Sequence, residues 1–138
     1  MEDLYREHLL DHYENPRHRG TLDPADISHE ESNPLCGDTI RIDIRLGEDG
    51  RRIDQIAFSG DGCIISQAAA SMLLEEIAGK SIEDAQKLET QDVLKLVGVP
   101  LTTNRVKCAA LSLKVLKAGI YRYLIAQAQK REREKVEG

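Results

Sequence analysis

Three cysteines and one aspartate are the residues of this sequence with the clearest chemical potential. Cys36, Cys63 and Cys108 are its only cysteines, and an odd number cannot pair into a complete set of disulfides. Cys36 and Cys63 lie beside glycines, in segments that are predicted to turn. A packing role in the core is therefore a poor explanation for these two cysteines. Cys108 lies near the start of an apolar helical stripe, so packing explains it more readily. Because the three are far apart in sequence, any shared site must be assembled by the fold.

A common metal site is the chemistry that these residues favour. Zinc and iron–sulfur clusters are held mainly by thiolates, with about four ligands at each metal. Asp38 is the candidate fourth ligand, because it follows Cys36 by two residues and such residues point the same way in an extended segment. A carboxylate oxygen matches iron–sulfide chemistry less well than a thiolate does. The set Cys36, Asp38, Cys63 and Cys108 therefore favours a cluster that is released over a permanent one.

Two basic residues precede Cys108. Arg105 and Lys107 place positive charge beside it, which favours the reactive thiolate form. Cys108 is therefore a candidate sulfur acceptor with Lys107 in a supporting role. The alternative interpretation of Lys107 is a solvated surface cation.

Three further residues resemble metal ligands but have simpler interpretations. His8 and His12 are four residues apart on a predicted helix, a spacing that can bind zinc, but no other ligand follows closely. We interpret the pair as one flank of that helix. Asp61 lies between two glycines and suits a tight turn.

Alternating apolar residues predict a β-hairpin in the first half of the chain. Residues 40–46 alternate isoleucine or leucine with charged side chains, residues 47–50 predict a turn, and residues 53–58 predict the returning strand. The preceding segment, 17–32, is polar and weakly patterned, which is compatible with one irregular strand.

Helical patterns surround the hairpin. The first, from Leu4 to Tyr13, is stopped by Pro16. We predict Ser66 as the N-cap of an alanine-rich helix, Ser81 as the cap of a short helix and Thr90 as the cap of another.

The longest helix is predicted to run from Thr103 or Asn104 to about Lys130. Its first half is apolar on two sides, which indicates packing between other elements. Residues 130–138 are charged, and we interpret them as a frayed end of this helix.

Length and charge limit the classes of protein that fit. The 138 residues suffice for a single domain over 1–138. The net charge of −5 argues against a nucleic-acid partner. The sequence shows neither an apolar run long enough for a membrane span nor a basic leader, so we expect no membrane partner and a cytoplasmic location.

Four segments of the sequence together resemble the IscU/SufU/NifU-N family of iron–sulfur cluster assembly scaffolds. The resemblance extends from about Leu4 to the last helix, and the motifs occur in the family's order. These segments are residues 11–17 (Asp-His-Tyr-Glu-Asn-Pro-Arg), 33–38 (Asn-Pro-Leu-Cys-Gly-Asp), 60–72 (from Gly-Asp-Gly-Cys to Ala-Ala-Ser-Met) and 105–111 (Arg-Val-Lys-Cys-Ala-Ala-Leu).

The resemblance implies both a fold and an activity. The fold is α+β, a small antiparallel three-stranded sheet with helices packed on one side and a long C-terminal helix. The activity is that of a scaffold, not an enzyme, which accepts persulfide sulfur from a cysteine desulfurase, binds iron, transiently holds a [2Fe–2S] cluster and passes it to recipient apoproteins or carrier proteins. By position the ligands of the cluster, or of zinc, are Cys36, Asp38, Cys63 and Cys108.

The sequence also departs from the IscU-type branch of this family. That branch has histidine where Lys107 stands, whereas the segment around Lys107 is similar to the SufU-type branch, for which the resemblance favours Cys36 as sulfur acceptor. The stretch between Cys63 and Cys108 is too short for the insertion usual in SufU-type members. The sequence lacks the Leu-Pro-Pro-Val-Lys motif through which IscU-type members recruit an Hsp70-type chaperone. It therefore does not predict that a chaperone drives release of the cluster.

Two alternatives to the scaffold therefore stay open. One is a zinc-dependent sulfur acceptor, or sulfurtransferase, that stimulates the desulfurase in the manner of SufU-type members. The other is a zinc module whose metal only holds the fold together, which would unfold on metal removal.

Overall fold

The sheet is antiparallel and has three strands in the order β1, β2, β3. A computed structural model of the chain describes residues 2–34 and 37–137. The strands are β1 (Ile27–Asn33), β2 (Asp38–Leu46) and β3 (Ile53–Ser59). Ile42 of β2 lies opposite Phe58 of β3, and both are buried. The alternating residues of β2 thus form the core face of the sheet, as predicted.

Strand β1 is regular although its sequence is polar. It pairs with β2 along its whole length, from Ile27 opposite Ile44 to Asn33 opposite Asp38. Only Ile27 of this strand is buried. An edge strand needs few apolar residues when its neighbour fixes the register, which is why the sequence pattern indicated β1 only weakly.

Five helices accompany the sheet: α1 (Glu2–Glu14), α2 (Ile64–Ile77), α3 (Ile82–Gln86), α4 (Thr90–Val97) and α5 (Thr103–Glu137). Helix α1 contacts α2, α2 contacts α5, and α5 crosses β1 and β2. The sheet and helices share one apolar core. The predicted α+β architecture, with a long C-terminal helix, is confirmed.

The starts of two helices differ from the predictions. The N-cap of α2 is Cys63 and not Ser66, whose hydroxyl donates to the carbonyl of Cys63 at 3.1 Å. Glu89 caps α4 in a capping box with Asp92, and Thr90 is the first helical residue. The predicted cap of α3, Ser81, accepts the backbone N–H of Asp84 at 3.1 Å and is confirmed.

Helix α5 has 35 residues and continues to Glu137, past the predicted end near Lys130. Its last turns consist mainly of glutamine, lysine, arginine and glutamate, whose high helix propensity supports this exposed end of the helix. None of the helices in the described part of the chain is both long and apolar enough to cross a membrane.

The start of β2 and the connection from β3 to α2 lie at the same end of the sheet. Because β2 and β3 are antiparallel, the end of β3 lies beside the start of β2, and the backbone N–H of Thr39 donates to the carbonyl of Asp61 at 2.7 Å. Helix α2 begins directly after this connection. The fold therefore brings the segments that carry Asp38 and Cys63 together.

Candidate metal centre

Asp38 is the first residue of β2 and is buried, with 3% of its surface exposed. One carboxylate oxygen, Oδ1, accepts the backbone N–H of Cys63 at 3.1 Å. The other, Oδ2, accepts the thiol of Cys63 at 3.5 Å. The carboxylate thus holds both the backbone and the side chain of this cysteine.

Cys63 is placed by a loop in which two glycines are sterically required. At Gly60, φ is +120°, and a Cβ would lie 2.1 Å from the carbonyl oxygen of Thr39. At Gly62 a Cβ would lie 2.3 Å from Ser66 Oγ and 3.0 Å from Asp38 Cγ. The loop packs so closely on the start of β2 and of α2 that no side chain fits at either position. The cysteine itself is partly exposed.

Cys108 enters the site from the second turn of α5 and has 2% of its surface exposed. Its sulfur, the sulfur of Cys63 and a carboxylate oxygen of Asp38 lie within 4.8 Å of one another. The fold therefore brings together three residues that are remote in sequence, at the start of β2, at the N-cap of α2 and on α5.

This donor set fits a thiophilic metal. Zinc–thiolate bonds of about 2.3 Å and zinc–carboxylate bonds of about 2.1 Å place neighbouring donors of a tetrahedral site roughly 3.5 Å apart. The three donor atoms reach such spacing through small side-chain movements. Two sulfurs with one oxygen match zinc or an iron–sulfur cluster better than magnesium or calcium, which prefer oxygen ligands only.

Cys36, the fourth ligand implied by the family resemblance, lies outside the described residues, so its place in the site stays a prediction. Asn33 and Gly37, which precede and follow it in the chain, are hydrogen-bonded: the backbone N–H of Gly37 donates to the carbonyl of Asn33 at 2.8 Å. Asp38 follows immediately.

Arg105 and Lys107 are both exposed and line different grooves. Lys107 lines a groove with Asn33 and Lys114. Arg105 lines another groove together with Cys63. The supporting role of Lys107 toward Cys108 stays a prediction.

The groove beside Cys63 is largely apolar and has a volume of about 830 Å³. Three large side chains that line it are substantially exposed, namely Leu10 at 44%, Tyr13 at 41% and Ile64 at 42%. We call it the apolar groove. It is lined by residues of α1, of the start of α2 and of the segment between α4 and α5: Arg6, Leu9, Leu10, Tyr13, Gly62, Cys63, Ile64, Ile65, Val99, Pro100, Leu101, Thr102 and Arg105.

His12 lies on α1, as predicted, and is 1% exposed. Its Nδ1 lies 2.7 Å from the hydroxyl oxygen of Ser71 on α2. Burial, and after it the positive charge of Arg17, lowers the pKa of His12 below its usual value. The residue therefore joins α1 to α2 as a neutral imidazole. Asp61 is exposed, and its backbone carbonyl oxygen accepts the N–H of Thr39.

No sequence pattern indicated a role for Arg19 and Gln67, which flank the Cys63 loop. The guanidinium of Arg19 donates to Gln67 Oε1 and, at 2.9 Å, to the carbonyl oxygen of Gly60. The two side chains are 48 positions apart, and no local pattern predicts their contact.

The α+β fold and the group of Asp38, Cys63 and Cys108 define a class of domain whose clustered side chains could hold a metal ion. The chain matches the family described as the NifU-like N-terminal domain over residues 4–130, and it belongs to that family.

Relatives within this family carry two kinds of name. The chain is 37% identical to a zinc-dependent sulfurtransferase SufU of Bacillus subtilis, over 87% of this chain and 91% of that protein. It is 34% identical to an iron–sulfur cluster assembly scaffold protein IscU of Streptococcus pyogenes, over 92% of this chain and 89% of that protein.

A solved structure shares the fold. It is a crystal structure of a protein from Fervidobacterium islandicum that is named as an iron–sulfur cluster assembly scaffold for the SUF system. The match has a TM-score of 0.68 and 25% identity, and it covers 83% of this chain and 94% of the other.

Proposed function

We propose that this protein is a scaffold for iron–sulfur cluster assembly, with Cys36, Asp38, Cys63 and Cys108 as the ligands of a transient [2Fe–2S] cluster. The observation that carries the proposal is the meeting of Asp38, Cys63 and Cys108 within 4.8 Å. Relatives named as such scaffolds support it.

The mixed donor set suits a cluster that must leave. An electron carrier needs a permanent cluster and usually has four thiolate ligands. Here one donor is a carboxylate, which binds iron–sulfide centres less tightly. Asp38 already has alternative partners, the N–H and thiol of Cys63. Its release from iron therefore leaves no unpaired buried charge.

Sulfur delivery requires contact with a cysteine desulfurase. We propose that the desulfurase docks on the apolar groove, because Leu10, Tyr13 and Ile64 expose apolar surface directly beside Cys63. Exposed apolar patches of this kind commonly mark protein interfaces. The cluster then passes to a recipient apoprotein or carrier.

In the transfer step, a thiolate of this chain attacks the outer sulfur of the desulfurase persulfide. A new S–S bond forms, the desulfurase S–S bond breaks, and the desulfurase cysteine leaves as a thiolate. Cys108 is buried, so it needs a conformational change before it can accept sulfur. We therefore propose Cys36 as the first acceptor, in agreement with the SufU-type resemblance, and Cys108 as the alternative.

A second function, that of a zinc-dependent sulfurtransferase, is favoured by one observation. Lys107 stands where IscU-type members have a histidine ligand, and its exposed side chain lines a groove away from the apolar groove. The relative from B. subtilis bears this activity in its name. When bound, zinc would keep the thiols deprotonated, with Asp38 and the cysteines as its ligands.

One experiment distinguishes the two functions. The protein is purified without oxygen, its metals are counted, and it is incubated with a cysteine desulfurase and cysteine, with iron or with zinc alone. A scaffold gives a visible cluster spectrum in the iron sample. A sulfurtransferase gives strong stimulation of the desulfurase with zinc alone. The persulfide-bearing cysteine is identified by labelling and mass spectrometry. A chain that shows neither response contradicts both functions.

A further inference from the structure

The loop that presents Cys63 is held on both sides by one side chain, that of Arg19. One nitrogen of its guanidinium donates to the carbonyl oxygen of Gly60 at 2.9 Å, before the cysteine. Another donates to Gln67 Oε1, in the first turns of α2 after the cysteine. Arg19 therefore connects the two ends of the segment that carries the ligand.

Arg19 is itself fixed to the sheet. The backbone N–H of Phe58 donates to the carbonyl of His18 at 2.9 Å, and the N–H of Gly20 donates to the carbonyl of Phe58 at 2.8 Å. The guanidinium carbon lies 5.5 Å from the centre of the Phe58 ring. His18 has φ of 63°, a left-handed conformation that most residues avoid. His18, the residue directly before Arg19, is thus in a strained backbone conformation.

The partner on α2 is a buried amide. Gln67 has 7% of its surface exposed, and its Nε2 has no hydrogen-bond partner among the residues that the structure describes. The bond from Arg19 therefore satisfies only the oxygen of this amide group. A buried amide that is half satisfied is unfavourable in an apolar core. Loss of the Arg19 bond would leave the oxygen of this buried amide without its guanidinium partner, which is costly.

We infer that Arg19 is a positioning residue for Cys63. It fixes the segment 60–67, and through it the direction in which the N–H and thiol of Cys63 face Asp38 and Cys108. This inference rests on the proposed function, in which Cys63 is a metal ligand. Groups outside the ligand set that orient the ligands commonly change metal affinity by about 10- to 100-fold when removed.

The geometry favours arginine specifically. The two acceptors, a backbone carbonyl and a side-chain amide, are reached by two nitrogens of one planar group. A lysine ammonium is a point charge and does not reproduce that fork. Lys at this position should therefore retain only part of the effect.

The test compares zinc affinity in three variants and a matched control. Arg19→Met and Gln67→Met each remove the contact, and Arg19→Lys retains the charge. Arg45→Met is the control, because Arg45 also bonds one glutamine oxygen and one backbone carbonyl, those of Gln55 and Pro24, away from the site. Affinity is measured by chelator competition under conditions where circular dichroism shows each variant folded.

We expect Arg19→Met and Gln67→Met to bind zinc about 10-fold more weakly than wild type, Arg19→Lys to be intermediate, and Arg45→Met to match wild type. Cobalt substitution should show altered ligand-field bands in Arg19→Met and unaltered bands in Arg45→Met. Equal affinities and spectra for Arg19→Met and Arg45→Met would overturn the inference.

A second readout separates this inference from the proposed function. In the metal-free protein, the rate at which iodoacetamide alkylates Cys63 is followed by mass spectrometry. Arg19→Met should change this rate several-fold, whether or not the wild type binds metal, and Arg45→Met should not. If the wild type binds no metal, the proposed function fails, and the alkylation rate alone decides the role of Arg19.

Discussion

At the scale of single residues, Asp38 combines two roles that are usually separate. It is a candidate ligand, and its two oxygens also bond the backbone and thiol of Cys63. This arrangement lets the carboxylate exchange between a metal and the protein at low cost. The lability of the site therefore depends on this one side chain.

We predict that Asp38→Ala lengthens the lifetime of a reconstituted [2Fe–2S] cluster. Without the carboxylate, the exchangeable oxygen ligand is lost and the sulfur ligands remain. The decay of the visible cluster absorption, measured without oxygen in the presence of a chelator, gives the lifetime. Asp61→Ala is the control, since this carboxylate belongs to the same loop but lies outside the group of potential ligands. An Asp38→Ala cluster that decays as fast as the wild-type cluster would disprove the exchange argument.

Gly62 permits a second prediction at this scale. A methyl group there would lie 2.3 Å from Ser66 Oγ and 3.0 Å from Asp38 Cγ. We expect Gly62→Ala to displace the loop and to weaken zinc binding about 10-fold or more. Gly47→Ala is the control, because its nearest neighbour would be an ordinary 3.6 Å away. Chelator competition measures both, and equal affinities would show that the loop adjusts freely.

Residue types alone indicated much of this site, because thiols beside glycines and an aspartate two residues after a cysteine are unusual. Their spacing did not predict the contact of Asp38 with the backbone of Cys63, since this depends on the pairing of β2 with β3. It also gave no sign of Arg19, whose partners are set by the long-range path of segment 17–20. The types of the candidate ligands could thus be predicted from the sequence, whereas the orientation of Cys63 toward Asp38 required the structure.

At the scale of elements, α1 is attached to α2 by a small buried polar network. His12 contacts the hydroxyl of Ser71, which also accepts the backbone N–H of Arg17 at 2.8 Å. The side chain of Arg17 pairs with Asp11 at 2.6 Å and with Glu75 at 3.5 Å. Because α1 forms one wall of the apolar groove, this network also stabilises the groove.

The network predicts a pH dependence of stability. The pKa of His12 is lower in the folded protein than the usual 6.5, chiefly through burial. The unfolded chain therefore binds more protons, and stability is fully present above about pH 6.5 and falls as pH decreases toward the folded pKa. The limiting slope for one group is about 1.4 kcal/mol per pH unit. The hydrogen bond from Arg17 lowers the pKa of Asp11, so that carboxylate contributes only at more acidic pH.

Urea unfolding of the metal-free protein at pH 7.5, 6.5 and 5.5 measures this effect. We expect the free energy of unfolding to decrease across the series in wild type, and to decrease less in His12→Gln, which has no imidazole to protonate. Equal slopes in the two proteins would show that His12 is protonated as easily in the folded state as in the unfolded one.

Elements with strong periodicity were predictable, and those set by neighbours were not. Strand β2 alternates in sequence and a short turn separates it from the apolar residues of β3, so the positions of both strands were clear. Strand β1 has mainly polar residues and takes its register from β2. The start of α2 at Ile64 is fixed by the glycine loop and not by a capping side chain, since Cys63 makes no side-chain cap bond. The exposed end of α5, to Glu137, is supported by residues of high helix propensity.

At the scale of the whole molecule, the metal centre lies beside an exposed apolar surface at one end, whereas the far half of α5 is distant from it. We predict that Leu10→Glu, in the apolar groove, weakens activation of a cysteine desulfurase about 10-fold, because a charge at the centre of an apolar interface commonly costs more than 1 kcal/mol. Ile125→Glu is the matched control, with 40% exposure against 44% for Leu10. Desulfurase rates over a concentration series of each variant give the comparison, and equal effects would place the docking surface elsewhere.

Whether the metal also holds the fold together is a property of the whole molecule, and the core predicts that it does not. The buried apolar cluster includes residues from α1, all three strands and the four other helices, so it extends far beyond the metal centre. We therefore expect the chain to keep its far-ultraviolet circular dichroism after chelation of all metal. Zinc at 100 times its dissociation constant should add about 2.7 kcal/mol by linkage and raise Tm by roughly 10 °C. Loss of helical signal on chelation would instead indicate a structural zinc module, because only a fold that depends on its ligands unfolds without them. The triple variant Asp38→Ala, Cys63→Ser, Cys108→Ser provides the control, since it should be folded and should show no zinc-dependent rise in Tm.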